Sequence, residues 1–410
     1  MMKNISKTIG SALAEFEKTS TGTMFAFNRR AWSAILALAA FGYTGQGLAN
    51  AQVARVGDNT VLTVQGNETV DFVNAKPMPL PSNPVSIDTT QMMVQALLSP
   101  PAFAAPGYSP GGEGNGIQSP VFVGAPVQAE DGIIAEDGVR RDDSGSSNHP
   151  FTTARADLQD LNTNTAYPYR AAGKLYLNIN NTTYYCSASL IKPGIVVTAA
   201  ACVANYGKKQ FYSDFQFIPG YRNGVAPFGT WTVAHVWVKS AYLDGTDNCA
   251  VAASVCPDDV ALLTLNTQKG AYVGTAVGWY GFGYNGFGFT TNGLTQITQL
   301  GYAAGLDNGS LMERNDSYGY VSASYSDNTV IGSNMNAGAI GGPWIVKFGI
   351  APTLTGETNG GAAYPNMVVG VMAWYYTSTA PKEVGASPFT SNNILSLLNS
   401  ACSSTPSACK

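Results

Sequence analysis

The chain carries few groups able to start covalent chemistry. It has two histidines, His149 and His235, in 410 residues. A multi-histidine metal centre is therefore excluded, and neither a metal nor a cofactor is expected. Acyl transfer needs a hydroxyl or thiol to attack and an imidazole to take its proton. His235 lies in the alternating run 231–237, where it reads as a packed or surface strand residue. All six cysteines lie beyond residue 185, and their even number fits three disulfides in an oxidising compartment. Their placement suggests neighbour pairs, Cys186 with Cys202, Cys249 with Cys256 and Cys402 with Cys409, although about fifteen connectivities stay open. Paired cysteines leave no thiol nucleophile. Ser187 and Ser333 are the remaining hydroxyls of interest, with Lys347 the nearest lysine to a glycine-rich turn at 338–342. Asp258 and Asp259 set two carboxylates side by side.

The elements that must position these groups are β-strands. Charged residues make up 12% of the chain, against 45 glycines, which suits an all-β extracellular protein. The net charge is −4 with no basic block, so nucleic acid is excluded as a partner. Arg29 and Arg30 precede an apolar run over 31–43, and Ala49-Asn50-Ala51 closes it with small residues. Residues 1–51 thus read as a signal peptide with a long n-region, cleaved after Ala51. The run is too short to span a bilayer, so the mature form has no membrane span and is secreted or periplasmic. Residues 52–159 are rich in Pro and Gly, then acidic, and read as a largely flexible pro-region or linker. Alternation over 52–73 allows a small pairing element there, and Arg140-Arg141 marks either a processing site or a solvated dibasic pair. From about 160 short strands follow one another: 175–179, 195–198, 231–238, 260–265, 277–281, 294–300, 344–346 and 367–374, with a short helix over 392–398.

Three segments carry a family pattern: Cys186-Ser187-Ala188-Ser189 leading to Thr198-Ala199-Ala200-Ala201-Cys202, then Asp259-Val260-Ala261-Leu262-Leu263, then Gly338-Ala339-Ile340-Gly341-Gly342-Pro343. Over about 160–410 the chain resembles the bacterial secreted members of the trypsin/chymotrypsin serine peptidases. The resemblance implies two six-stranded antiparallel β-barrels of chymotrypsin type, about 160–268 and 269–400, with a short C-terminal helix. It implies a bridge between Cys186 and Cys202. It also implies that Ala201 stands at the histidine position, Asp259 at the aspartate and Ile340 at the serine. The Gly338 and Ile340 N–H groups correspond to the oxyanion hole. Asn334 falls near the floor of the specificity pocket, and Ala373, Trp374 and Tyr375 match the substrate-pairing strand.

Ile340 has no nucleophilic atom and Ala201 no base, so the resemblance implies a pseudopeptidase that binds a protein or peptide in the inter-barrel cleft. A retained oxyanion hole leaves only about 10³- to 10⁴-fold residual catalysis over water. The alternative is an inactivated form of a secreted endopeptidase, complete again with Ala201→His and Ile340→Ser. The glycine-interleaved aromatics Trp279, Tyr280, Phe282, Tyr284, Phe287 and Phe289 form either a second binding surface or a barrel strand with its loop.

Overall fold

A computed structural model describes residues 52–66, 69–79, 104–124, 150–157, 161–321, 328–349, 364–376 and 382–410. The expected signal peptide, His149 and Arg140-Arg141 lie outside them. Six short strands come first: β1 (Gln52–Val56), β2 (Asn59–Thr63), β3 (Lys76–Pro77), β4 (Gly107–Ser109), β5 (Val121–Phe122) and β6 (Phe151–Arg155). Then come β7 (Ala172–Ile179), β8 (Thr182–Lys192), β9 (Ile195–Thr198), β10 (Ala204–Asn205), β11 (Gln210–Phe211), β12 (Ser213–Pro219), β13 (Val225–Ala226), β14 (Trp231–Lys239) and β15 (Ala261–Leu265). The second half holds β16 (Gly281–Tyr284), β17 (Leu294–Gly301), β18 (Glu313–Val321), β19 (Thr329–Gly332), β20 (Pro343–Val346), β21 (Met367–Tyr375) and β22 (Glu383–Pro388).

Two closed six-stranded antiparallel barrels result. The first runs β14-β12-β7-β8-β9-β15 and closes through β14 and β15. The second runs β20-β17-β18-β19-β22-β21 and closes through β20 and β21. Closure removes the open edges of each sheet, which short strands alone would leave exposed. Leu175 and Leu177 on β7 are fully buried, as their alternation predicts. The intervening Lys174 and Tyr176 are also buried, because other groups cover that face of β7 as well. The Lys174 ammonium lies 3.8 Å from the Tyr185 ring centroid and 4.7 Å from that of Tyr221, and donates to the Gly309 carbonyl at 2.9 Å. Burial draws its pKa down to about 7, while the ring faces and the carbonyl favour the charge.

The pairing element expected within 52–73 is present as β1 with β2, and the described parts of 52–159 pair with later strands: β2 pairs β14, β3 pairs β8, β4 pairs β16, β5 pairs β13 and β6 pairs β18. Backbone ladders and a few apolar anchors, among them Leu62 at 1% exposure and Met78 at 5%, supply what composition does not count. The strand expected over 277–281 is displaced. A helical turn occupies Gly274–Val277, and Gly278 at φ 76° reverses the chain before β16 begins. Tyr280, Phe282, Phe287 and Phe289 are buried, so the aromatic run is core and not a surface.

The C-terminal helix (Ser396–Ser404) follows a Thr390–Asn393 capping box. It returns to the first barrel, where the Asn59 amide on β2 donates to Ser396 O at 3.1 Å and to Ser400 Oγ at 2.9 Å. No helix among the described residues is long and apolar enough to cross a membrane. Asn59 is 2% exposed and its Ser396 and Ser400 partners are half-buried, so Asn59→Ala removes these bonds and is expected to cost about 1 kcal/mol. Denaturant unfolding checks this; an unchanged midpoint would mean the tie contributes nothing.

Candidate functional site

The site is built where β8 and β9 of the first barrel meet the 338–342 turn of the second. β9 pairs β15 with Ala261 opposite Thr198, which brings Asp259, just before β15, against the short helical turn Ala200–Cys202 after β9. The Cys186–Cys202 disulfide, S–S 1.96 Å, fastens that turn to β8. The other two bridges join Cys249 to Cys256 and Cys402 to Cys409, so no described cysteine is free. The Asp247, Cys249 and Cys256 group is therefore no metal site, since both sulfurs are spent in a disulfide.

Ser187 holds the two barrels at this point. Its N–H donates to Ile340 O at 2.8 Å and its hydroxyl to Gly338 O at 2.9 Å. That hydroxyl also accepts the Tyr302 N–H at 2.9 Å, while Ser187 O accepts the Thr198 hydroxyl at 2.9 Å. Ile340 O further lies 3.6 Å from Cys202 Sγ, a contact only, because a disulfide sulfur has no proton to donate. A Cβ on Gly341, at φ 80°, would overlap Thr198 Oγ1 and Ser187 O, so glycine is required there.

Within the turn the Ala339, Gly341 and Gly342 N–H groups donate to Asn336 O, Met372 O and Ala339 O. Among the described residues the Gly338 and Ile340 N–H groups, by contrast, have no protein acceptor. The Ile340 side chain is 1% exposed and joins the hydrophobic core.

Asp259 is completely buried. Its Oδ1 accepts the Ala201 N–H at 2.8 Å, and its Oδ2 has no partner among the described residues. Burial pushes the carboxyl up to about 7, with Asp247 adding to the shift and the Ala201 and Ala200 N–H groups opposing it. The structure thus brings Ala201 and Asp259 into contact, and ties Ile340 to the same strand through Ser187.

Other candidates are not assembled here. His235 sits opposite Thr264 on β15, with Nδ1 unpaired and burial lowering its pKa. The Ser333 hydroxyl donates to Gln299 Oε1 at 3.0 Å and accepts the Met335 N–H. The Lys347 ammonium lies 5.2 Å from the Phe287 ring centroid. Asn334 Oδ1 is buried without a partner. Ala373 and Trp374 are fully buried in a side cluster of the second barrel, where the Trp374 indole donates to Asn328 Oδ1 at 2.9 Å. They do not line an open cleft as expected. Tyr375 is largely buried with its hydroxyl toward the Ala337 N–H. Sequence reasoning missed the bridging role of Ser187 and the packing of Tyr185, Tyr221 and Tyr302 around Lys174. Among the described residues involved, only Tyr185 and Ser187 carried a signal, their place beside Cys186.

A model of the trypsin family matches residues 162–391. The glutamyl endopeptidase of Bacillus licheniformis is 24% identical over 235 residues, 56% of this chain and 63% of that protein. The extracellular metalloprotease of Bacillus subtilis (strain 168) is 29% identical over 125 residues, 30% of this chain and 36% of that protein. The chain therefore spans less than two thirds of either relative. Among solved structures, the protease Anisep from Arthrobacter nicotinovorans shows 22% identity over 57% of this chain and 96% of its own, with TM-score 0.45. The thermostable serine protease AL20 from an extremophilic microorganism shows 20% identity over 58% and 98%, with TM-score 0.46.

Two outcomes follow from the geometry. Asp259 titrates at about 7 in the folded chain, above its unfolded value near ~3.9. Its stability contribution is thus full below pH ~4 and is lost as pH rises towards 7, by about 4 kcal/mol at most. Asp259→Asn keeps an acceptor for Ala201 N–H and removes that slope: it should match wild type at pH 4 and melt higher at pH 8. A variant melting lower at pH 8 would show that Oδ2 is held by groups favouring its charge. Gly341→Ala should be destabilised by roughly 3 kcal/mol or more through strain and overlap, read by the same melts.

Proposed function

The chain belongs to the trypsin family, and from that premise we propose that it is a secreted pseudopeptidase, a binding or scaffold protein on a serine-peptidase fold. The observation that carries this is the pairing at Asp259. The carboxylate still meets the Ala201 N–H, yet Oδ2, the atom that would orient an imidazole, faces none. The matching nucleophile position, Ile340, is hydrocarbon and buried. General-base attack on a peptide carbonyl needs both groups, and neither residue type can supply one. Three disulfides fit an oxidising compartment, and a signal peptide over residues 1–51 is the proposed route there.

A second reading, an endopeptidase silenced at two positions, is favoured by one specific feature. The Gly338 and Ile340 N–H groups remain unpaired, so an oxyanion-binding pair persists without its nucleophile. Asn334, at the proposed pocket floor, is not an acid, so no preference for Arg or Lys side chains is implied.

The two readings part in one experiment on the chain with residues 52–410 intact, since β1 and β2 are built into the first barrel. Wild type should release no peptides from mixed protein substrates analysed by mass. Ala201→His with Ile340→Ser should gain cleavage under the second reading and stay inert under the first. Cleavage by wild type above about 10⁴-fold over water would overturn both.

A further inference from the structure

The open edge of β8 already holds a peptide, and it belongs to this chain. Backbone groups of successive strand residues point to opposite sides, so Tyr185 and Ser187 face the same side, away from β7. Along that side β9 pairs only from Ser189 onward. At Ser187 the edge is taken by Ile340 O, 2.8 Å from the Ser187 N–H. At Tyr185 it is taken by Met78, whose N–H donates to Tyr185 O at 2.9 Å. Residues 76 and 77 run parallel to β8, opposite Tyr184 and Tyr185. The N-terminal strap and the Ile340 turn thus occupy consecutive places on one strand edge.

The strap is anchored as a ligand is anchored. Val70 and Met78 are each 5% exposed. The Phe72 ring meets Tyr176 edge-on at 5.0 Å. The Asp71 N–H donates to Thr183 Oγ1 at 3.1 Å, and the Asp71 carboxylate closes the intervening turn by accepting the Val73 and Asn74 N–H groups. Tyr185 links this strap to the site, since its ring packs so closely on Gly338 that a Cβ there would overlap it.

We propose that residues 70–78 are an intramolecular ligand of the cleft edge. An extended peptide reaching past the free Gly338 and Ile340 N–H groups meets the strap at Tyr185, and binds along β8 only by displacing it. The recognised partner is an extended peptide with an apolar side chain at the Met78 place, adding by strand pairing. This deepens the binding-protein reading and rests on it for the cleft's use, but the occupancy of β8 stands apart from whether the chain cleaves peptides.

The test is competition in trans on the chain with residues 52–410 intact. A labelled peptide of residues 69–79 and its scrambled counterpart are titrated into wild type and Met78→Asp, read by fluorescence anisotropy. A tethered strap acts at millimolar effective concentration, so wild type should bind the peptide at least ~10-fold more weakly than the variant, and neither should take the scrambled one. If Met78→Asp does not melt cooperatively, Phe72→Ala with Met78→Ala serves in its place. Equal binding to wild type and variant, or no binding to a cooperatively folded variant, overturns the proposal. Mass-detected cleavage by wild type with the exchange intact would instead sink the inactive reading alone.

Discussion

One buried serine sets the relation of the two barrels. Ser187 uses its N–H, hydroxyl and carbonyl at once, on Ile340, Gly338, Tyr302 and Thr198. Each of those bonds is short, shielded from water and satisfied at both ends, the condition under which a buried polar network fixes one arrangement. Gly341 answers the same constraint, because no side chain fits between Thr198 and Ser187. The disulfide at Cys186 then fastens the neighbouring turn to the same strand.

Around that fixed point Asp259 and Ile340 sit in opposite environments. Asp259 retains its backbone donor at Ala201 and remains fully buried. A charge in such a place would lack half its partners, and desolvation drives it toward the neutral acid. Ile340 works in the opposite direction, since its side chain adds apolar burial to the core. One side chain is an acid with an unpartnered oxygen, and the other fills space with hydrocarbon.

Much of this was legible in the residues. The segments around Cys186, Cys202, Asp259 and the 338–343 turn carry the family resemblance that implies the double barrel, and the strands at 195–198 and 294–300 were legible as short runs bounded by turn residues. Of the N-terminal segment only the pairing element within 52–73 was legible, from its alternation; the hold of the later described strands on the rest of the chain comes from backbone pairing, which composition does not encode. Gly278 shifted a strand that the apolar run placed too early. Trp374 was read as lining a cleft, and for the 282–289 aromatics surface and barrel strand both stayed open, because periodicity identifies a face without saying what covers it. Ser187 stood out beside Cys186, but its bridging role and that of Lys174 did not, since the Gly338, Tyr302 and Gly309 partners lie more than a hundred residues away.

The return of the C-terminal helix has a consequence for how the chain reaches this state. Asn59 near the start and Ser396 near the end share a hydrogen bond across 337 residues. Gly194 in the first barrel likewise donates to Ala408 O at 2.8 Å. The first barrel closes through β14 and β15, but the packing around it is completed only when its β1–β2 hairpin and this helix, 337 residues apart at their contact, come together. Contacts this distant in sequence slow folding and prolong exposure of apolar surface.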